Sequence, residues 1–324
     1  MRALLLTAYG GPEALRVADV PEPDGPGLVS IQVHAAGVGY PDLLVTWGRY
    51  QVKPDLPFVP GLEVAGLIRS APPGSAFRIG DRVTAAVAMG GYAEVAVAQP
   101  ERVMPIPAGL AFEEATALPV NYLAAYLALA RRARLGPGEV VLVHGGGGGT
   151  GTAAIEVAKW LGATVIATAG SPERREAARG AGADHVLPSD SDWRAGVLEL
   201  LGGPHVAVVF DPVGGERVAQ DSIRVLAPEG RWLVVGFASG EIPEVAVNRL
   251  LLRNVSAMGV YVGGFVAAVP GLSAEAAVAF SQMHTAGRLR PPVRIGYRLE
   301  DGPRALAELA ARTGWGKAVL TVRP

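Results

Sequence analysis

No cysteine occurs anywhere in the 324-residue chain. Disulfides, thiolate catalysis and cysteine-ligated zinc or iron–sulfur centres are excluded with it. Lysine is nearly as scarce: Lys53, Lys159 and Lys317 are the whole set, and the rest of the 29 basic residues are arginines. There is no excess of either charge: 29 basic residues stand against 30 acidic ones. The formal net charge is −1, which argues against nucleic acid as a partner, because that needs a dense basic footprint. Short pairs such as Arg131-Arg132 and Arg174-Arg175 read as solvated helix faces. No leader pattern is visible, since Arg2 precedes only a short apolar run, Ala3 to Leu6, soon ended by Gly10-Gly11-Pro12. One stretch, Asn254 to Ala274, is free of charge and long enough to span a bilayer. Gly259, Gly263, Gly264 and Pro270 interrupt it, so a buried strand followed by a turn is expected there. A soluble, cytoplasmic protein with no membrane partner is the expectation.

Half of the residues are hydrophobic and 18% are charged, enough for a sizeable core. Glycine (43) and proline (26) together make up roughly a fifth of the chain, short of a disordered or collagenous composition. The length suggests about two domains. Short apolar runs cut by turn signals fill the first 110 or so residues: Ala3–Thr7, Leu28–Ala35, Val64–Ser70, Arg82–Val87 and Tyr92–Val97. That spacing predicts an all-β unit. A helix-compatible stretch, Phe112 to Arg134, is interrupted at Pro119. Strand candidates then alternate with helices: Val140–His144, Thr164–Thr168, His185–Leu187, Val206–Phe210 and Trp232–Val235, separated by Thr152–Leu161, Pro172–Arg179, Ser191–Leu201 and Glu216–Leu226. Continuously apolar strands in such alternation mean a parallel sheet covered on both faces. Val255–Val262 reads as a sixth strand. In the tail, Glu275–Gly287 and Arg304–Arg312 read as helices and Ala318–Val322 as a last strand, packed back on the N-terminal unit.

The most informative segment is His144 followed by five glycines, then Thr150-Gly151. Gly146, Gly148 and Gly151 satisfy G-x-G-x-x-G, with Gly149 and Thr150 inside the motif. A strand precedes it and a helix follows, the context that gives this otherwise weak pattern its meaning. The bend requires residues without side chains, so that bare main chain approaches a pyrophosphate and helix-start N–H groups face the anion. A Walker loop is excluded, because no lysine follows the glycines. Folds of this kind that bind NAD place an acid after the second strand to take the ribose 2′-hydroxyl. Here Ala169-Gly170-Ser171 follows, then Arg174. A hydroxyl and a guanidinium suit a 2′-phosphate, so NADPH is preferred. Ser171 also reads as a helix N-cap with Pro172 behind it.

Further motifs extend the pattern: Ala35-Ala36-Gly37-Val38 with Pro41-Asp42, Pro60-Gly61 with Val64-Ala65-Gly66, Gly80-Asp81-Arg82-Val83, Gly91-Tyr92-Ala93-Glu94, Gly180-Ala181-Gly182-Ala183-Asp184, Asp211-Pro212-Val213-Gly214-Gly215 and Gly316-Lys317. Together they resemble the zinc-independent medium-chain dehydrogenases/reductases, in the quinone oxidoreductase (zeta-crystallin-like) group, over nearly the whole chain. The resemblance implies an α/β protein: a GroES-like β-barrel domain over residues 1–119, completed by 266–324, and a Rossmann doubly wound parallel-sheet domain over 120–265. It also implies a homodimer through the last Rossmann strand. Zinc members carry Gly-His-Glu where this chain has Gly61-Leu62-Glu63, and its five histidines show no metal spacing. Reduction of an activated acceptor, a quinone or an α,β-unsaturated carbonyl, is therefore expected, with hydride from the nicotinamide.

By the same resemblance Tyr50 is the candidate proton donor and Asp42 a second candidate catalytic residue, with Tyr40 and Tyr122 as further tyrosines. Gly236, Phe237 and Ala238 are expected to line the nicotinamide pocket, and Lys317 is counted with the cofactor residues. Gly39 stands where related sequences have an asparagine facing the nicotinamide side, and Asn121 is the candidate replacement for that amide. Asp211, at the end of a strand, reads as a cap for the next helix. Two other functions fit less well. An enoyl-thioester reductase needs a basic entrance, for which Arg49 and Lys53 are the available residues. A non-catalytic dinucleotide-binding structural protein is the other.

Overall fold

The computed structural model describes residues 1–323. In chain order the elements begin with strands β1 (Arg2–Leu6), β2 (Leu15–Asp19) and β3 (Val29–Val38), and helix α1 (Tyr40–Thr46). Strands β4 (Glu63–Ser70), β5 (Arg82–Ala86), β6 (Val95–Ala98) and β7 (Val103–Pro105) follow. Next come α2 (Phe112–Ala115), α3 (Leu123–Tyr126), β8 (Val140–Val143), α4 (Gly149–Trp160), β9 (Thr164–Ala169), α5 (Pro172–Gly180), β10 (His185–Pro188) and α6 (Trp193–Leu201). The chain continues through β11 (Val206–Asp211), α7 (Glu216–Val225), β12 (Leu226–Val234), α8 (Asn248–Arg253), β13 (Ser256–Gly259), α9 (Val262–Ala268) and α10 (Leu272–Thr285), and ends with β14 (Val293–Arg298), α11 (Gly302–Ala310) and β15 (Lys317–Thr321).

Two compact units result. The first comprises Met1–Val120, Val266–Gln282 and Val293–Pro324; the second comprises Asn121–Phe265 and Met283–Pro292. The first unit holds a seven-stranded sheet in the order β14-β15-β3-β4-β5-β7, with β6 also on β3, and a separate β1-β2 pair. All pairings there are antiparallel except β14 with β15. Strand β3 carries Val29, Ile31, Val33 and Ala35 buried at every second position, the period that turns one face of a strand inward. Val29, Ile31 and Val33 belong to one core with Leu4, Leu6, Ile68, Val83 and Leu306.

The second unit is a six-stranded sheet in the order β10-β9-β8-β11-β12-β13, parallel throughout. Counted from β8, that is the 3-2-1-4-5-6 order of a Rossmann fold. Val141, Leu142 and Val143 of β8 and Val208, Val209 and Phe210 of β11 are fully buried, as strands covered on both faces must be.

Three features differ from the sequence expectation. The stretch after Phe112 is not one helix broken at Pro119. Two π-helical segments, Leu118–Tyr122 and Leu127–Arg132, flank the single turn of α3. The charge-free run from Asn254 forms the short strand β13 and then α9, where a turn was expected; no single helix among the described residues is long and apolar enough to cross a membrane. Strand β12 starts at Leu226, directly after α7, six residues earlier than the apolar run Trp232–Val235 indicates. Pro228, Glu229 and Gly230 sit inside it, and Glu229 adopts φ 62°. The register slips there between Val206 and Val208, an irregularity that apolar patterning does not reveal.

Candidate functional site

The glycine loop leaves β8 at the switch point of the second sheet, where the strand order reverses and ligands of open α/β sheets bind. The Gly146 amide donates to Thr168 O across the end of β9 (2.9 Å), and the Gly148 amide to Gly145 O (3.0 Å). Gly148 is the N-cap of α4. Amides at the first three helical positions, Gly149, Thr150 and Gly151, have no intrahelical acceptor. Two glycines are fixed by close approach of backbone, and Gly146 by Ala167 Cβ, 2.8 Å from where its own Cβ would stand. A Cβ on Gly151 would lie 2.1 Å from Gly145 O, and one on Gly147 would lie 2.3 Å from Arg174 O. Gly148 differs: a Cβ there would meet nothing nearer than Gly145 O at 3.5 Å. The loop is therefore tight against its own unit on two sides and open at Gly148. That fits a diphosphate seated on bare main chain.

Beneath the loop lies a network that the sequence did not single out. His144, the residue before the glycines, is buried. Its Nδ1 pairs with Thr168 Oγ1 (3.0 Å) and its Nε2 with Ser222 Oγ (2.9 Å). Trp193 packs edge-on at 4.8 Å between ring centroids. Burial holds the imidazole below its ordinary pKa, with Asp211 opposing, so at neutral pH it is an uncharged bridge between β8, β9 and α7. Asp211 is saturated. Its Oδ1 accepts from Val213 N and Gly214 N (both 2.9 Å) and its Oδ2 from Trp232 Nε1 (3.2 Å). It closes the turn after β11 and does not cap α7 as the sequence suggests, since the N-cap there is Gly215.

Ser171 caps α5, accepting from Arg174 N at 3.3 Å. Glu173 is an acid that lies beyond the end of β9, outside the position the strand-end pattern marks. It stands fully exposed on the first turn of α5, its carboxyl held below the usual range by its own backbone amide and by the Ser171 hydroxyl. Gly236, Phe237 and Ala238 follow β12 and run along the end of β11, with Gly236 N on Asp211 O (3.3 Å) and Ala238 N on Pro212 O (3.1 Å). Asn121 lies in the first π-helical segment and donates through Nδ2 to Thr150 Oγ1 at 2.8 Å. Tyr122, beside it, is buried and donates to Glu156 Oε2 of α4 (2.8 Å), which also accepts from Arg290 N (3.0 Å). Its role is to fasten this segment to α4.

The remaining candidates fall in the first unit. Tyr40 opens α1 and Tyr50 lies beyond its end; both are half-buried. Asp42 is enclosed at 1% exposure. Its Oδ2 accepts the Gly39 amide at 2.7 Å, capping α1. Lys317 is equally buried and ion-paired with Glu63. These residues meet around Gly37 and Gly39. A Cβ on Gly37 would lie 2.7 Å from both Glu63 Oε2 and Lys317 Cε, and one on Gly39 would lie 3.3 Å from Asp42 Oδ2. The cluster holds two carboxylates and one ammonium, with the buried Tyr92 beside them. Asp42 Oδ1 and Tyr92 Oη have no other partner among the described residues, and the Tyr92 hydroxyl acts on the Asp42 carboxyl. Burial, and then the charge of Glu63, push the Asp42 carboxyl up to about 7, against the opposing pull of Lys317 and the Gly39 amide.

That position has a measurable consequence. A carboxyl raised in the fold stabilises fully below its unfolded pKa and loses the contribution as pH rises through the folded value. Wild-type stability should therefore fall between about pH 4 and pH 7, by a few kcal/mol at roughly 1.4 kcal/mol per pH unit. Asp42→Asn keeps an acceptor for Gly39 and removes the titration. Urea melts from pH 4 to 8 should show a flatter profile for the variant; parallel profiles would refute this account.

Among the described residues no group of three or more histidine, aspartate or glutamate side chains is arranged to hold a metal ion.

Comparison with known proteins defines the class. Residues 25–108 match the family model for the alcohol dehydrogenase GroES-like domain, and residues 149–277 match the one for zinc-binding dehydrogenases. The rat quinone oxidoreductase-like protein 2 is 39% identical over 94% of this chain and 87% of its own length. The crystal structure of a probable oxidoreductase from Mycobacterium abscessus superimposes with a TM-score of 0.91 at 43% identity, covering 99% of both chains. Escherichia coli quinone oxidoreductase, crystallised with NADPH, gives a TM-score of 0.90 at 27% identity over 99% of this chain and 100% of that one. The fold is that of the medium-chain dehydrogenases/reductases, a GroES-like unit joined to a Rossmann unit. Within that class the chain belongs to the quinone oxidoreductase family.

Proposed function

We propose that this protein is an NADPH-dependent oxidoreductase that passes hydride to a quinone or to the β-carbon of an α,β-unsaturated carbonyl. The observation that carries the reading is the glycine loop, braced on two sides and open at Gly148, with Ser171 and Arg174 where an NAD site would place an acid. Relatives named quinone oxidoreductase, one of them solved with NADPH, support it. In this reading Gly146, Gly148, Gly149, Thr150 and Gly151 hold the diphosphate with main-chain amides and the helix dipole. A 2′-phosphate replaces Glu173 as acceptor of the Ser171 hydroxyl and pairs with Arg174. Gly236, Phe237 and Ala238 line the nicotinamide pocket. Bound NADPH supplies the hydride. Tyr50 supplies the proton that the reduced carbonyl oxygen takes up. Asp42 and Lys317, both enclosed in the first unit, act by holding the Gly39 turn and the start of α1. A homodimer through β13 belongs to the same proposal, because β13 pairs only with β12 and leaves a charge-free edge for a second copy.

Nothing favours an acyl-CoA substrate. Arg49 lies over the Trp47 ring (5.8 Å) and Lys53 over the Tyr9 ring (4.8 Å), so the two basic groups are drawn onto separate aromatics.

The test is NADPH oxidation against quinones, alkenals and enoyl-CoA, with turnover expected on the first two. Tight NADPH binding without turnover on any of them would favour the non-catalytic structural role. Arg174→Ala should weaken NADPH by roughly 10- to 100-fold, the worth of one or two charge-assisted hydrogen bonds, and leave NADH within about threefold. Equal losses for both cofactors would remove the 2′-phosphate assignment.

A further inference from the structure

The contact between Asn121 and Thr150 has a direction. An amide nitrogen only donates, so Thr150 Oγ1 must accept from Asn121 Nδ2. A hydroxyl that accepts on one side still carries its own hydrogen, and no acceptor among the described residues takes that of Thr150. Thr152, two residues further on, shows the ordinary alternative: its hydroxyl donates back to Gly148 O and Gly149 O (3.0 and 3.1 Å). Thr150 stands at the second position of a 12-residue helix whose first amides also lack acceptors. Asn121 is 8% exposed, and its Oδ1 is buried with no partner. This side chain tolerates an unmade hydrogen bond in order to keep the one to Thr150. Its backbone is fixed by the π-helical turn and by Tyr122, whose hydroxyl is fastened to Glu156 on the same helix α4.

We propose that Asn121 is a positioning residue that fixes the Thr150 hydroxyl as a dedicated donor toward the cofactor's diphosphate. The inference rests on the dinucleotide reading given above and adds to it the polarity of one hydrogen bond. By occupying a lone pair of Thr150, Asn121 prevents that oxygen from presenting its own negative end to an anionic oxygen. The orientation is set before the ligand arrives, so binding does not have to order the hydroxyl.

Asn121→Asp tests this directly, since the shape is kept and the polarity reversed. A carboxylate only accepts, so Thr150 must donate to it and turn its lone pairs outward. The added charge also repels the diphosphate through space, and Thr150→Val separates the two effects. NADPH affinity is to be measured by calorimetry on the full chain for wild type, Asn121→Asp, Thr150→Val and the double variant. Asn121→Asp should weaken NADPH by about 30-fold or more when Thr150 is present, and by at least fivefold less when it is valine. Thr150→Ser should bind like wild type. The same penalty for Asn121→Asp in both backgrounds would overturn the proposal. So would unimpaired binding by Asn121→Asp, which would mean that the amide is turned the other way. If the aspartate variant does not fold, Asn121→Ala in the same cycle serves: additive losses with Thr150→Val overturn the proposal and overlapping losses support it. Failure of wild type to bind NADPH at all would remove the dinucleotide reading, a result distinct from normal binding with additive variants.

Discussion

Gly151→Ala should lose NADPH affinity by at least about 100-fold, close to 3 kcal/mol at 1.4 kcal/mol per decade, while the chain still folds with reduced stability. The cause is local. The new methyl carbon would sit 2.1 Å from the Gly145 carbonyl oxygen and 2.7 Å from the Gly146 Cα, and both of those atoms are backbone. Neither can swing aside as a flexible side chain would, so the start of α4 must move off the loop. That displacement shifts the amides of Gly149 and Thr150 away from any anion they hold. Calorimetric titration with NADPH, alongside a thermal melt without it, separates lost binding from lost fold. Near-normal affinity would show that the diphosphate is held elsewhere.

Lys317→Met should strongly destabilise the first unit, and its cost should depend on pH. Removing one partner of a buried ion pair typically costs about 3–5 kcal/mol, because the other charge is left without compensation. Glu63 and Asp42 both already lie above their ordinary range through burial, and in both Lys317 is the opposing influence. Without the ammonium both carboxyls shift further up. Their contribution is present in acid and lost as pH rises through the folded values. The variant should be close to wild type near pH 5 and strongly weakened near pH 8, as read from urea midpoints. Adding Glu63→Gln should restore much of the loss at pH 8. A penalty that is the same at both pH values would contradict the ionic account.

The parts legible in the sequence were those set by local periodicity. Strands β8, β9 and β11 are continuously apolar because both faces are covered, and their extents agree with the apolar runs to within a residue or two. The motif marks Gly146, Gly148 and Gly151 as bare; Gly146 and Gly151 are closely approached, Gly148 is open, and Gly147, an unspecified position of the motif, is fixed by the Arg174 backbone. What could not be read were contacts between residues far apart in the chain. Lys317 and Glu63 are separated by 254 positions; from the motif alone Lys317 read as a cofactor residue, and only the fold shows its ammonium enclosed against a carboxylate. His144 was passed over because a lone histidine with no metal spacing carries no signal, although its place just before the glycines was a clue. The π-helical turns around Asn121 were invisible for another reason. The Leu118–Tyr122 turn is fastened to α4 by Asn121 and Tyr122, contacts that no local propensity of these residues reveals.

The position of β15 bears on how the molecule comes into being. In the first sheet it lies between β3 and β14, yet among the described residues it is made after every other strand of that sheet. The stretch from Asn121 to Phe265, which carries the whole parallel sheet, is made and released in the interval. The nascent GroES-like half must wait with Ala35–Val38 of β3 unpaired on one side and the Glu63 carboxylate without its counter-ion, whereas the nucleotide-binding half has all its strands much earlier. A cell that runs short of folding assistance should therefore accumulate chains whose Rossmann half is sound and whose other half is not.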